Sequence, residues 1–307
     1  MADRHKATDE PQTTLLIGFD SAWTAKNSGG LVGVLRSENG TISELGPPRI
    51  VNYTHAQAAI SEWQAELAPE ATIILLDQPS IVPNATGQRP VENIVGAIVG
   101  LRYGGMQPAN RSKKEMFGTE APVWEFLKRF GGAANPLGPV AGTLVIETYP
   151  VLAMIALNWT QPELSPQGRP AGRLPTGRLP KYNPERNKTF SPFDWQYVCG
   201  RASVAFSDRG LKEIVQWIDG IALKTPPHKC DQDGLDACIC LLVALHLAEG
   251  KDCLMVGDLQ TGYIVVPDNV ELSDELATRC KKTGRVPSEW VQKFRLAAMQ
   301  TLLSTKA

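Results

Sequence analysis

The chain has 307 residues, enough for one elaborated domain or for one domain with a small appendage. Hydrophobic residues make up 43% and charged residues 21% of it, which is typical of an ordinary soluble protein with an apolar core. Its formal net charge of −1 is low for a protein that relies on non-specific affinity for nucleic acid, so only local basic patches would bind such a partner.

The first segment, residues 1–13, is polar and lacks the apolar core of a signal peptide, so it is predicted to be a disordered tail. No run approaches the roughly 18 consecutive apolar residues of a membrane helix. The six cysteines form no CxxC pair, and Cys238 and Cys240 lie within an apolar helical run, which indicates reduced core residues. These patterns predict a cytoplasmic protein.

The first predicted elements form a mixed sheet and its cover. Apolar runs at 14–20 and 29–35 predict two strands, and 41–52 predicts a third that a proline pair interrupts. The short turns between them favour an antiparallel meander. Residues 55–67 place apolar side chains at helical spacing, and residues 71–77 form a nearly continuous apolar run, typical of a strand covered on both faces.

The second half adds one more strand and several helices. A partly helical insertion at about 79–142 precedes the fifth strand at 143–146, and a proline- and glycine-rich loop spans about 161–192. The later elements are predicted helices at 151–157, 194–207, 211–223 and 234–248, a hairpin at 254–266 and an amphipathic helix at 287–303. The chain is therefore predicted to be an α/β domain at 14–267, with a mixed five-stranded sheet flanked by helices, and a helical extension at 268–307.

Carboxylates follow the predicted buried elements. Asp20 ends the first strand, Asp77 the fourth and Glu147 the fifth. Asp233 and Asp236 lie three apart at the start of the late helix, so both can face one side. Each has an ordinary explanation as well, because an aspartate after a strand is often a turn residue and Asp233 before a helix is a natural N-cap.

Together these acids favour a metal site. Parallel neighbouring strands bring their carboxyl ends to one edge of a sheet, so Asp20 and Asp77 are expected to lie close together. The helix that follows Asp236 is apolar nearly all round, so it must be buried against the sheet. Packed carboxylates repel unless a cation compensates them, and Mg²⁺ or Mn²⁺ takes oxygen ligands. Two such ions support phosphoryl transfer without a histidine or cysteine nucleophile.

Four motifs resemble those of a known family: Gly18-Phe19-Asp20, Leu76-Asp77-Gln78-Pro79, Glu147-Thr148-Tyr149-Pro150 and Asp233-Gly234-Leu235-Asp236-Ala237. In combination they are similar to the domain-of-unknown-function family 429, whose members are described as predicted nucleases with a ribonuclease-H-like fold. The resemblance covers roughly residues 14–267. The Asp-x-x-Asp-Ala helix also resembles that of RuvC-type resolvases, which carries two metal-binding aspartates.

This resemblance implies that Asp20, Asp77 and Asp236 bind metal, with Asp233 as a fourth ligand and Glu147 as part of the family pattern. In two-metal hydrolysis of DNA or RNA, Asp20 would bridge the ions, Asp77 and Asp236 would complete their shells, and Asp233 or Glu147 would orient water. The resolvases have a glutamate where this chain has Asp77, whose shorter side chain reaches less far.

The loop at 168–188 is a candidate contact for a phosphate backbone. It carries six basic residues and one acidic residue, and Arg173 and Arg178 lie in a short Gly-Arg-Leu-Pro repeat. A flexible basic loop near the sheet edge would track phosphates. The alternative is a solvated surface loop.

A second basic group lies in the insertion. Arg111 and Lys113 are candidate nucleic-acid contacts, and Arg89, which follows the fourth strand closely, would hold a phosphate near the metals. The alternative for Arg89 is an ion pair with Glu92 or with another surface acid.

Three functions remain in competition. The leading one is a metal-dependent nuclease that acts on DNA or RNA. The second is a catalytically inactive nucleic-acid- or protein-binding module on the same fold, in which the acids are caps and turns. The third, a kinase or ATPase of the actin-like superfamily, ranks last, because Ser21-Ala22-Trp23 follows Asp20 in place of a glycine-rich phosphate turn and no second lobe is visible.

Overall fold

The computed structural model describes residues 13–21, 23–99, 106–161 and 177–296. These residues form a six-stranded mixed sheet, a separate three-stranded sheet, and the helices that flank them. Residues 1–12 of the predicted tail and part of the basic loop, including Arg173, lie outside the described residues, whereas Thr13 begins the first strand.

Most strands of the larger sheet are buried, as their apolar sequences predict. In chain order the strands are β1 (Thr13–Asp20), β2 (Gly29–Ser37), β3 (Ile42–Glu44), β4 (Arg49–Val51), β5 (Ala71–Leu76), β6 (Gly142–Glu147), β7 (Cys253–Asp258), β8 (Gly262–Pro267) and β9 (Val291–Phe294).

The helices vary from single turns to one long buried helix near the end of the chain. They are α1 (Tyr53–Leu67), α2 (Pro90–Val95), α3 (Lys114–Phe117), α4 (Pro122–Arg129), α5 (Pro150–Ala156), α6 (Pro192–Ser207), α7 (Lys212–Ala222), α8 (Lys229–Ala248), α9 (Val270–Lys282) and α10 (Pro287–Trp290). Within the described ranges, none of these helices has the length and apolar character needed to cross a membrane.

β1 lies inside the larger sheet, whose strand order is β3-β2-β1-β5-β6. β2 runs antiparallel to β1, whereas β5 and then β6 run parallel to it. The predicted mixed α/β sheet flanked by helices is therefore confirmed. Because β1, β5 and β6 are parallel, their carboxyl ends meet at one edge of the sheet.

The predicted count of five strands is wrong, because residues 41–52 form two strands instead of one. β3 and β4 both pair with β2, at its opposite ends. Between them, Gly46 adopts a φ of +97°, and Pro47 and Pro48 follow it. Proline has no N–H to donate to a ladder, so the chain leaves the sheet and then returns to the same strand.

Helix α8 packs against β1 and β2 at very short range. A Cβ atom added at Gly18 would lie 2.0 Å from the carbonyl oxygen of Ala237, and one added at Gly30 would lie 2.2 Å from that of Asp233. Both positions therefore require glycine, since any side chain would overlap the helix backbone. This close approach brings the start of α8, with Asp233 and Asp236, to the sheet edge where β1 ends.

Gly18→Ala is expected to destabilise the protein by about 1–3 kcal/mol or more, because its new methyl group would overlap α8. Gly200→Ala is the matched control: Gly200 lies in α6 with no atom within 4 Å of an added Cβ, so alanine should be neutral or stabilise by up to about 1 kcal/mol. Urea unfolding of both variants measures the difference. A Gly18→Ala midpoint equal to that of the wild type would contradict this account of the packing.

The smaller sheet places β7 between β8 and β9. β7 and β8 form the predicted hairpin. The predicted helix over 287–303 is wrong in its described part, because the helix ends at Trp290 and β9 pairs antiparallel with β7. That pairing satisfies the backbone of β7, and Lys293 adds ion pairs with Asp252 at 2.9 Å and Asp268 at 2.6 Å.

Candidate functional site

A cleft of about 590 Å³ opens where β1, β5 and β6 end, a volume that suits a ligand of small-molecule or nucleotide size. Its walls come from the segment after β1, from the insertion, from residues 180–189 and from the start of α8. The lining residues that matter most for its chemistry are Asp20, Trp23, Asp77, Glu147, Tyr182, Lys229, Gln232, Asp233 and Asp236.

Asp20 and Asp77 are brought together by the pairing of β1 with β5. Phe19 is in register with Leu76, and the backbone N–H of Asp77 donates to the carbonyl of Phe19 at 2.9 Å. The indole N–H of Trp23 donates to the carbonyl of Asp77 at 3.0 Å. Trp23 has a φ of +58°, a rare backbone conformation for a bulky residue, so this contact fixes an uncommon turn directly beside the cleft.

Asp233 and Asp236 lie inside α8, because the helix begins at Lys229 and not at 234 as predicted. The alternative explanation of Asp233 as the N-cap residue therefore does not hold. His228 is the N-cap residue, and Asp231 completes a capping box with it. The first turn is polar, so the apolar pattern of the sequence marks the helix only from its second turn onwards.

Neighbouring side chains hold the two helical aspartates. Asp236 accepts hydrogen bonds from the hydroxyl of Tyr182 at 2.7 Å and from the amide nitrogen of Gln232 at 3.0 Å. Asp233 accepts one from the ammonium of Lys229, four residues earlier on the helix. The amide oxygen of Gln232 is buried and has no hydrogen-bond partner among the described residues.

Asp20, Asp77, Asp233 and Asp236, which we call the aspartate quartet, are held together largely out of water. Burial raises the pKa of Asp20 well above its usual value, and the charges of Asp77 and Asp236 raise it further. Burial and the charge of Asp236 likewise raise the pKa of Asp77. Burial also raises the pKa of Asp233, and it raises that of Asp236 to about 6, although Lys229 opposes both shifts. The quartet thus favours the binding of additional positive charge.

Asp236→Asn is expected to stabilise the chelator-treated protein at neutral pH by up to about 3 kcal/mol. The folded pKa of about 6 lies above the reference value of 3.8, so the folded state binds this proton more tightly. The stability that the wild type gains from this tighter proton binding at Asp236 is complete below about pH 4 and is lost as the pH rises through about 6. Urea unfolding across this range should show a gain at neutral pH that disappears near pH 4. An equal or lower stability of the variant at neutral pH would contradict the expectation.

Glu147 lines the cleft, but its carboxylate is already bonded within the protein. Arg89 donates to its two oxygens at 2.7 and 3.0 Å, and the backbone N–H of Ser80 donates at 2.8 Å. Arg89 also donates to Glu92 at 2.8 Å. Burial raises the pKa of Glu147, and Arg89 opposes this shift. Arg89, Glu92 and Glu147, which we call the arginine cluster, tie the insertion to the end of β6.

The arginine cluster corrects the prediction that Arg89 contacts nucleic acid. Arg89 is only 1% exposed, and its partner is Glu92, as the alternative interpretation held, together with Glu147. Arg178 is also engaged, since it donates to both oxygens of Asp194 at 2.5 and 2.9 Å. These two arginines therefore act in internal ion pairs.

Arg111 and Lys113 lie at the surface of the insertion, outside the cleft lining. Arg111 lies 4.2 Å from the ring centroid of Trp124, and it donates to the carbonyls of Val82 at 2.7 Å and Phe117 at 3.1 Å. Lys113 is the N-cap residue of α3. The guanidinium of Arg111 thus helps to hold the fold of the insertion.

The family model described as "Protein of unknown function (DUF429)" matches residues 18–261. The chain belongs to this family. The matched region of this DUF429 protein contains the whole quartet and the arginine cluster, and it ends in the turn between β7 and β8. No significant match was found among curated proteins or among solved structures.

Three residues of this DUF429 site were not predicted from the sequence. Lys229 and Gln232 lie one turn before Asp233 and Asp236, and this i, i+4 spacing would have indicated both had the helix start been placed correctly. Tyr182 lies in the predicted proline- and glycine-rich loop, and no local pattern distinguishes it.

Across the described part of this DUF429 chain, no group of three or more histidine, cysteine, aspartate or glutamate side chains is arranged as a ready-made metal site. The quartet is nonetheless rich in carboxylate oxygens, the ligands that hard divalent cations take. Binding of a cation by three or more of these carboxylates would require side-chain movements of Asp20, Asp77, Asp233 or Asp236.

Proposed function

We propose that this protein is a nuclease that hydrolyses phosphodiester bonds of DNA or RNA with the help of Mg²⁺ or Mn²⁺. The observation that carries this proposal is the aspartate quartet, in which two parallel strand ends and one buried helix contribute four carboxylates to a single cleft. We further propose that the protein acts in the cytoplasm, since all six cysteines are unpaired thiols.

A ribonuclease-H-like fold is part of the same proposal. The strand order β3-β2-β1-β5-β6, with β2 antiparallel to β1 and with β5 and β6 parallel to it, is that of a ribonuclease-H-like sheet, to which this chain adds β4 beside β2. Helix α8 crosses β1 and β2 and carries two acids to the end of the central strand. These features support the assignment and account for the position of the quartet.

The chemistry of the quartet fits a divalent metal ion. All four side chains offer oxygen ligands. Burial raises the pKa of each of them, and neighbouring carboxylates raise the pKa values of Asp20 and Asp77 further. The amide oxygen of Gln232, which has no hydrogen-bond partner among the described residues, adds a neutral oxygen ligand beside them. Asp20, Asp77, Asp233 and Asp236 would hold the metal, which when bound would activate water and stabilise the leaving oxygen.

Side chains around the quartet would orient its members and the substrate. The hydroxyl of Tyr182 and the amide of Gln232 fix the carboxylate of Asp236. Burial and the charge of Asp236 raise the pKa of Tyr182 well above its usual value, so its phenol stays a donor at neutral pH. Lys181 and Arg186 line the cleft and place positive charge where a phosphate would enter.

The decisive experiment is a cleavage assay with labelled single-stranded DNA, double-stranded DNA, RNA and an RNA–DNA hybrid. Each substrate is incubated with Mg²⁺, with Mn²⁺ or with a chelator. Cleavage of at least one substrate that requires the metal is the expected result, and it identifies the substrate class. If nothing is cut and calorimetry detects no metal binding, the nuclease proposal is rejected.

A catalytically inactive binding module is the second candidate. The internal bonds of Asp233 and Asp236 favour it, because an architectural role would also require bonded carboxylates. A binding module would retain nucleic acid in a gel-shift assay with or without metal and would cut none of the substrates. Metal-dependent cleavage would exclude it.

A further inference from the structure

The ammonium group of Lys229 lies among the carboxylates of the quartet. Lys229 is the first residue of α8, and its Nζ donates to Asp233 one turn later. It also interacts electrostatically with Asp20 and Asp236. Its side chain is 41% exposed and lines the cleft. A cation that enters the cleft from solvent would therefore approach the same carboxylates that the ammonium of Lys229 contacts.

Hydrogen-bond donors divide the quartet into two unequal halves. On the helix side, Asp233 accepts from Lys229, and both oxygens of Asp236 accept from other side chains. On the strand side, the carboxyl group of Asp20 is hydrogen-bonded to that of Asp233. No nitrogen or alcohol group of the described residues donates to the carboxylate of Asp20 or Asp77. Open oxygens are therefore concentrated at the strand ends, whereas the helix side already has a positive charge and its donors.

We infer that Lys229 takes the place of one of the two metal ions, so that the quartet binds a single divalent cation, on the strand side at Asp20 and Asp77. This inference rests on the proposed function and specifies its metal requirement. An ammonium group has three donors and one positive charge, so it satisfies carboxylates that would otherwise hold a second ion. The two ions of a two-metal site lie roughly 3.5–4 Å apart and share carboxylate ligands. A second ion in the quartet would therefore need Asp233 as a ligand and would compete for it with the ammonium of Lys229.

The number of Mn²⁺ ions bound per chain tests this inference directly. Isothermal titration calorimetry on the full chain should find one ion in the wild type and two in Lys229→Gln, in which the competing charge is removed. Lys224→Gln is the matched control. Lys224 pairs with Asp231 in the first turn of α8 at 2.6 Å and is 46% exposed, but it does not line the cleft. This control should bind one ion, like the wild type.

Electron paramagnetic resonance of the same samples provides a readout that is independent of activity and of calorimetric fitting. Mn²⁺ in the wild type should show the hyperfine pattern of an isolated ion, whereas Lys229→Gln should show the broadening of two coupled ions. Two ions in the wild type, or any count other than two in Lys229→Gln, would overturn the role of Lys229 and leave the nuclease proposal intact. Absence of Mn²⁺ binding from all three proteins would overturn the role of Lys229, and only together with absence of cleavage would it overturn the nuclease proposal as well.

Discussion

Asp20→Asn is expected to lower the rate of metal-dependent cleavage by at least about 10³-fold, equivalent to about 4 kcal/mol of transition-state stabilisation. Asp20 ends β1 and is only 6% exposed, and its charge interacts with the other three members of the quartet. Asparagine keeps the shape of the side chain and removes the charge that a metal requires. Single-turnover cleavage of the preferred substrate, at saturating Mn²⁺, measures the loss.

The same variant should be more stable than the wild type when a chelator is present. The raised pKa of Asp20 means that its ionised form destabilises the folded state at neutral pH, and asparagine removes that charge. Asp274→Asn, at an exposed position of α9, is the control and should change neither activity nor stability. If Asp20→Asn loses cleavage but gains stability, Asp20 acts in the site and is not required for folding. Wild-type cleavage by Asp20→Asn would end the assignment of this residue.

Arg89→Met is expected to destabilise the protein by about 3–5 kcal/mol, the usual cost of removing one partner of a buried ion pair. Arg89 is 1% exposed and compensates two carboxylates, Glu92 and Glu147, whose side chains are 0% and 2% exposed. Methionine fills part of the same space but leaves both acids without a cation. Thermal and urea unfolding at neutral pH measure this loss.

The loss should become smaller as the pH falls. Without Arg89, nothing opposes the effect of burial, which raises the pKa of Glu147. Stability that is lost at neutral pH should therefore return when this carboxyl is protonated. Arg209→Met is the control, because Arg209 pairs with Glu249 at 2.7 Å in a more exposed position, where the cost should be at most about 1 kcal/mol. Equal losses in the two variants would show that the arginine cluster contributes no more than an ordinary surface pair.

The sheet and the acids of the site were predictable because the signals that specify them are local. An apolar run that ends in Asp20 or Asp77 marks both a buried strand and the residue at its carboxyl end. The three-residue spacing of Asp233 and Asp236 beside an apolar segment predicted that both lie on one helix and face the same side. Parallel pairing of β1 with β5 then follows from general rules of α/β folds.

The remaining features depend on contacts between residues that are far apart in the chain. Arg89 and Glu147 are 58 positions apart, so no sequence window contains the ion pair that buries both. The amphipathic pattern at 287–303 is typical of a helix, but β7 offers an open edge that a short strand satisfies better. Likewise, the donation from Tyr182 to Asp236 requires the loop before α6 to return to the sheet edge.

The pairing of β9 with β7 determines where the chain can be shortened without harm. The DUF429 match ends at residue 261, between the two strands of the β7–β8 hairpin. A protein cut at that boundary would retain an apolar β7 with both of its edges open, and an open apolar edge is a template for pairing between molecules and hence for aggregation. A chain that continues through β9 to Phe294 keeps β7 covered on both sides, so the unit expected to stay monodisperse in solution extends at least 33 residues beyond the family match, from 261 to 294.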